Sequence, residues 1–196
     1  MVIKKFRYSS VISGLLLTLF FCACNNVEEK RLELKKKSLK ENIGDTFIIK
    51  NVIDSSGNQI QLDFSKSDLT IIDFWFNECP PCINEMKQFS EVLAGKEGKI
   101  SVISISINQF WFWKPTLTNH TGIFSFLNNN TSNWTQYVLK TLQDEQLKNK
   151  ISGDRLQELE NLYNITFFPA YFVVNKKGII IERPVSAVEF IKKYKP

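Results

Sequence analysis

The chain has 196 residues, of which 43% are hydrophobic, 13% aromatic and 23% charged. That balance excludes a wholly disordered or collagen-like polypeptide, and the length fits one domain of ordinary size. The 25 Lys and Arg exceed the 20 Asp and Glu by only five and are dispersed, which argues against a nucleic-acid partner, and the lone His120 leaves little material for a multi-histidine zinc centre or Ser-His-Asp chemistry.

Residues 1–10 carry Lys4, Lys5 and Arg7 and no acid, and residues 11–21 (VISGLLLTLFF) are apolar. An eleven-residue apolar run is too short for a spanning helix, which needs about 20 residues. It fits a secretory signal, with a basic n-region followed by a short h-region. The next residues read Phe21-Cys22-Ala23-Cys24-Asn25. A small residue before a cysteine resembles the lipobox of bacterial lipoproteins, which implies cleavage after Ala23 and acylation of Cys24. Cys22 fits the acylated position less well, because bulky Phe21 precedes it. Residues 1–23 are therefore expected to be a lipoprotein signal peptide. Their removal takes away three bases and no acid, leaving a mature charge of +2.

Residues 24–41, with NNVEEKRLELKKKSLKE after the cysteine, are highly charged and poor in apolar positions. They read as a short exposed helix or tether between membrane and domain. From residue 42 the pattern becomes that of a folded domain running to residue 196. Thr46–Val52 and Gln59–Phe64 flank the turn-forming Asp54-Ser55-Ser56-Gly57-Asn58, which predicts a hairpin. Leu69–Phe76 is a nearly continuous apolar run, as expected of a central buried strand. Pro81 to about Leu93 has helical spacing through Ile83, Met86, Phe89, Val92 and Leu93, and Lys99–Ile107 is a second buried strand. A helical region is expected within Trp134–Leu162, broken near Ile151-Ser152-Gly153-Asp154. The Asn-rich Asn128–Asn133 reads as a loop. Ala170–Asn175 and Gly178–Arg183 read as strands joined by a Lys-Lys-Gly turn, and Ser186–Tyr194 as a closing helix. The sum is an α/β domain with a mixed sheet.

The chemistry is carried by Cys79-Pro80-Pro81-Cys82. A Cys-x-x-Cys after a buried strand and at the start of a helix is a redox signature. At a helix N-terminus the unpaired N–H groups and the macrodipole favour a thiolate. Pro80 and Pro81 stiffen the turn, and proline is tolerated in a first helical turn. Cys79 is expected to be the exposed nucleophile and Cys82, one turn in, the resolving thiol. The alternatives for the pair are a structural disulfide or a metal clip. Zinc would need four ligands where no second Cys or His pair exists, and copper would have to recruit His120.

The run Ile71-Ile72-Asp73-Phe74-Trp75 through Cys79-Pro80-Pro81-Cys82-Ile83-Asn84-Glu85-Met86 resembles the thioredoxin superfamily, and most closely the membrane-anchored TlpA/ResA-like thiol-disulfide oxidoreductases. Ile43-Gly44-Asp45 is similar to the family's opening. Asp54 to Gly57 is similar to its N-terminal hairpin. Phe168-Pro169-Ala170-Tyr171-Phe172-Val173-Val174-Asn175-Lys176-Lys177-Gly178 is similar to its cis-proline segment and following hairpin. The resemblance implies a thioredoxin-like fold with Cys79 and Cys82 as the redox pair. It implies that Pro169 is the cis-proline and that Phe168 pairs with the substrate chain. Asp73 aligns with the buried acid that accepts the second cysteine's proton, and a buried carboxyl has a raised pKa suited to that work. Two residues depart from the pattern. Glu78 stands where tryptophan usually precedes the first cysteine, and a carboxylate there disfavours the thiolate. Lys87 stands where proline often follows Glu-Met.

Glu85 reads as a solvated or dipole-complementing acid. Phe110-Trp111-Phe112-Trp113 follows a strand whose C-terminal end shares an edge with Cys79. The run is either a docking surface beside the cysteines or a set of rings of which two pack inward. The expected function is that of a lipid-anchored thiol-disulfide oxidoreductase, monomeric, facing the periplasm in a bacterial cell envelope and reducing protein disulfides. It needs no cofactor beyond its own cysteines and no metal, but a membrane electron donor is required. Its rivals are a peroxiredoxin-type peroxidase, a metallochaperone, and a binding module whose disulfide is structural.

Overall fold

A computed structural model describes residues 30, 33–34, 36–119, 122–129, 131–140, 151 and 153–195. The expected signal peptide over residues 1–23, Cys22 within it, Cys24, His120, residues 141–150 and most of the segment read as a tether lie outside the described residues. The chain divides into two units between Ser38 and Leu39. In the first, the described residues 30, 33–34 and 36–38 are helical.

The second unit holds the sheet. Its strands are β1 (Val52–Ile53), β2 (Gln59–Ile60), β3 (Leu69–Trp75), β4 (Ile100–Ser106), β5 (Trp134–Leu139), β6 (Ala170–Asn175) and β7 (Ile180–Glu182). They lie in the order β2-β1-β5-β4-β3-β6-β7. β3, β4 and β5 run parallel, while β6 is antiparallel to β3, β7 to β6, β1 to β5 and β2 to β1. This is a thioredoxin-like α/β fold with a mixed sheet, the mixed α/β sheet as the sequence pattern predicts and the thioredoxin-like arrangement as the resemblance implies.

Alternation along each strand sends side chains to two cores. One face of β3–β6 carries Ile71, Trp75, Val102, Trp134, Val138, Tyr171 and Val173. Helices α1 (Pro80–Met86), α2 (Phe89–Leu93), α3 (Phe110–Asn119) and α5 (Ala187–Lys193) pack there through Met86, Phe89, Trp113 and Ile191. The opposite face carries Ile72, Phe74, Ile103, Ile105 and Phe172, covered by α4 (Gly153–Tyr163) through Leu159 and Tyr163.

Four expectations need correction. Trp134–Leu139 is a strand, not part of a helix. Its period is two: Trp134 and Val138 face one core, Tyr137 and Leu139 the other, and its residues are β-formers. The hairpin forms, but with strands of two residues each. The segment before it is drawn elsewhere: Tyr163 Oη accepts from Ile48 N and donates to Ile48 O, and Thr46 bridges to Ile179. The helix expected from Pro81 to Leu93 breaks at Lys87-Gln88. Its last turn tightens as Gln88 N bonds Glu85 O, and the change of direction buries Phe89 and Leu93, with Phe89 meeting Trp134 edge-on at 5.3 Å. The Asn-rich patch is not a loop throughout, since a 3₁₀ segment over Gly122–Asn129 takes in its start; the aromatic run before it is helical, with Trp113 fully buried whereas Trp111 is 43% exposed.

The turn from β6 to β7 follows the Lys-Lys-Gly reading. Asn175 Oδ1 accepts from Lys177 N and Ile179 N, and Gly178 sits at φ 76°. A Cβ there would lie 3.2 Å from the Phe64 ring, so both backbone and neighbour call for glycine.

Candidate active site

The buried strand β3 ends at Trp75, and three residues later the chain turns into α1. Cys79 is the N-cap of that helix, its own N–H bonded to Phe76 O. Pro80 and Pro81 occupy the first two helical positions and carry no N–H, so the first N–H that the helix can offer is that of Cys82. It is aimed at Cys79 Sγ, 3.3 Å away. A sulfur held there with negative charge would meet both this donor and the positive end of the helix dipole.

Cys79 and Cys82 form a disulfide with Cα atoms 5.3 Å apart. Both are buried, at 3% and 0% exposure, so Cys79 is the more accessible of the two but is not exposed as the sequence reading expects. Exposed Glu78, Pro80 and Pro81 surround the pair. The Phe168–Pro169 peptide bond is cis. Phe168 packs against the core cluster that contains both cysteines and meets Phe76 edge-on at 5.4 Å.

Asp73 lies in the middle of β3, fully buried on the face that α1 covers. Ser104 Oγ donates to its Oδ2 at 2.8 Å, while Oδ1 has no hydrogen-bond partner. Burial pushes the carboxyl up to about 7, the charge of Glu85 adds to the effect, and the Ser104 hydrogen bond opposes it. Tyr171 stands opposite Asp73 on β6. Its phenol is held far above its ordinary value by burial first, with the Asp73 and Glu85 charges adding. Glu85, one turn beyond Cys82, is not a solvated acid. It accepts from Ser186 Oγ at 2.7 Å and Val188 N at 3.1 Å, so it complements the N-terminus of α5 rather than that of its own helix.

Three residues around the cysteines escape sequence reasoning. Asn108 Oδ1 accepts from Asn77 N at 2.8 Å and from Ser106 Oγ at 2.9 Å, and Asn108 Nδ2 reaches Glu78 Oε2 at 3.4 Å. Asn77 Nδ2 in turn donates to Thr116 Oγ1 and Phe112 O on α3. The loop that presents Cys79 is thus fastened to the β4–α3 connection and to the aromatic helix. The available signal was the alternation in Lys99–Ile107, where Ser104 and Ser106 interrupt an otherwise apolar buried face.

A model of the redoxin family matches residues 43–192. The chain belongs to the redoxin family. It is accordingly a thioredoxin-like oxidoreductase. Among solved structures it is similar to a thiol:disulfide interchange protein from Bacteroides sp., at 20% identity and TM-score 0.54 over 79% of this chain and 87% of that one. It is also similar to the thioredoxin domain of a thiol-disulfide oxidoreductase from Bacteroides vulgatus, at 20% identity and TM-score 0.52 over 76% and 92%. At that identity these neighbours speak for the fold. The search of curated proteins gives no match.

Proposed function

We propose that this redoxin is a TlpA/ResA-like reductase of protein disulfides, held in a bacterial cell envelope by a lipid on Cys24 and facing the periplasm. The observation that supports it most is the Cys79–Cys82 disulfide at the start of α1, with Cys79 as N-cap and its sulfur accepting the first available N–H of the helix.

In the proposed reaction the Cys79 thiolate attacks a substrate disulfide. A mixed disulfide forms, and the first substrate sulfur leaves as a thiolate that takes a proton from solvent. The Cys82 S–H then gives its proton to the Asp73 carboxylate. The Cys82 thiolate attacks Cys79 Sγ, the Cys79–Cys82 bond forms and the bond to substrate breaks. The departing substrate thiolate is protonated in its turn. Two electrons pass from the dithiol to the substrate, so each cycle needs a fresh pair, which a membrane thiol-disulfide exchanger would supply. Phe168 and Pro169, beside the cysteine cluster, would hold the substrate chain.

The test is the reduction potential of the pair, together with trapping by Cys82→Ser. Thioredoxin-like reductants lie near about −270 mV, and strong oxidants near about −120 mV. A value at the low end, with envelope proteins captured on Cys79 of the variant, supports the reading. A pair that stays oxidised below about −300 mV and a variant that captures nothing would mark a structural disulfide and overturn it.

A further inference from the structure

On the face of the sheet beneath α1 the strand registers bring four polar side chains into one row. Tyr171 is opposite Asp73, Asp73 is opposite Ser104, and Ser104 is opposite Gln136, across β6, β3, β4 and β5. Of the residues on either side of the row on this face, Ile71, Trp75, Val102, Trp134, Val138 and Val173 are apolar and buried, and the buried Ser106 gives its hydroxyl to Asn108 rather than to the row. Within the row Ser104 is the one residue that engages Asp73 directly. Its exposure is zero. Its Oγ donates to Asp73 Oδ2 at 2.8 Å and accepts from Trp134 Nε1 at 2.9 Å. Trp134 is itself fixed, stacked on Phe126 and edge-on to Phe89.

A serine hydroxyl has one proton to give. The indole N–H is a donor only, so its bond to Oγ turns the hydroxyl proton away from Trp134 and toward Asp73. The result is a directed chain, Trp134 N–H to Ser104 O–H to the carboxyl, in a region where hydrogen bonds polarise one another.

We propose that Ser104, oriented by Trp134, is the positioning residue that keeps Asp73 usable as the proton acceptor of Cys82. The inference rests on the proton-acceptor reading of Asp73 given above. The physical argument follows from what faces that carboxyl. Glu85 from α1 and Tyr171 from β6 are the titratable groups facing it; the Glu85 charge disfavours its ionised form, while Tyr171 stays neutral and is itself pushed up by the Asp73 charge. Burial does the same more strongly. Ser104 alone among the identified influences favours the carboxylate, since a donated O–H stabilises the charged form. It also fixes Oδ2, which leaves Oδ1 as the oxygen without a hydrogen-bond partner.

The experiment uses the full chain and glutathione disulfide as the probe. Acid quenching and mass spectrometry follow the decay of the glutathionylated intermediate from pH 5 to 9, and carboxyl NMR follows the Asp73 titration in parallel. Ser104→Ala is expected to move both midpoints upward by about one pH unit, equivalent to about 1.4 kcal/mol. At pH 7 the decay should slow about fivefold, from the smaller carboxylate fraction that such a shift leaves. Ser104→Thr should restore the wild-type profile. Trp134→Phe removes the orienting donor and should shift the midpoints the same way by less, and it serves as the test if Ser104→Ala does not fold. In an Asp73→Asn background, Ser104→Ala should have no further effect on the profile. If Asp73→Asn flattens the profile while Ser104→Ala and Trp134→Phe leave both midpoints in place, the role of Ser104 is refuted and that of Asp73 stands. If Asp73→Asn keeps the wild-type profile, the proton-acceptor reading fails and this inference fails with it.

Discussion

Replacing Asp73 by asparagine should make the oxidised protein more stable, and increasingly so as pH rises. The carboxyl has an ordinary value of 3.8 and is pushed up to about 7 in the folded state by full burial. An acid whose folded-state proton affinity exceeds its unfolded one costs the native state stability once pH rises above the unfolded value. Below about pH 4 both states hold the proton and the group is neutral to stability. Between about 4 and 7 the unfolded chain releases the proton before the folded one does, so stability falls with rising pH, levelling off above about 7. A difference of about three units corresponds to about 4 kcal/mol on that plateau. Asparagine does not ionise, so it escapes the penalty. Its amide leaves one polar group near the unpartnered Oδ1 position, which costs about 1–3 kcal/mol. The net gain at pH 8 is therefore about 1–3 kcal/mol; it shrinks as pH falls and becomes a net loss at about pH 4, where only the cost of the amide remains. Urea unfolding of the oxidised wild type and variant, at half-unit steps from pH 4.5 to 8.5, reads this directly. A stability difference that stays constant across the series would refute the reasoning, because no charge would then be held out of water in the native state.

Glu85→Ala should cost about 1–2 kcal/mol in thermal unfolding, because Ser186 Oγ and Val188 N at the start of α5 lose their acceptor. Glu85→Gln should move the Asp73 midpoint downward, since the Glu85 charge helps to hold it up, and carboxyl NMR would show the shift. Trp113→Ala should destabilise by about 3–5 kcal/mol, and Trp111→Ala by less than about 0.5 kcal/mol, in urea unfolding, because one ring is fully buried and the other 43% exposed. Glu78→Gln should lower the Cys79 thiol pKa, by less than about one unit for a carboxylate at the surface, with thiol alkylation rates against pH as the readout.

Much of the fold was legible because its elements announce themselves locally. β3 and β4 are apolar and bounded by polar turns. The β6–β7 hairpin carries its own Asn175 and Gly178 turn chemistry, and Ser186 caps α5 through Glu189 N. The errors fell where the deciding term is tertiary. β5 has six residues, too few for period two to stand out beside the charged stretch that follows, and it becomes a strand because the edge of β4 is open to it. The Phe110–Trp113 run, for which the sequence reading offers no secondary structure, holds residues of middling helix propensity with Pro115 close behind, and it becomes a helix because Trp113 is buried against the sheet. At the site, the cysteines, Asp73 and Pro169 could be found from spacing and resemblance. Asn77 and Asn108 could not, because they matter through each other and through α3 and Ser106, and Ser104 showed only as a polar break in an apolar strand whose partner Asp73 lies on another strand.

That last group also explains how one sheet face can be both core and site. A carboxyl in the middle of β3 is an expensive residue for a core, and its protonation state would be fixed at neutral if burial alone acted on it. Ser104 and Trp134 supply a partial remedy drawn from the packing itself: an indole that fills the core also lends its N–H, and a serine too small to disturb the layer relays it. The carboxyl is left near 7 rather than beyond reach, close to the pH at which a general base is most effective. On this argument the stability given up by burying Asp73 and the proton affinity that its proposed role toward Cys82 calls for have one physical origin. Asp73→Asn should therefore gain stability at neutral pH while losing the proton acceptor, whereas Ser104→Ala should raise the proton affinity of Asp73 and lose stability with it.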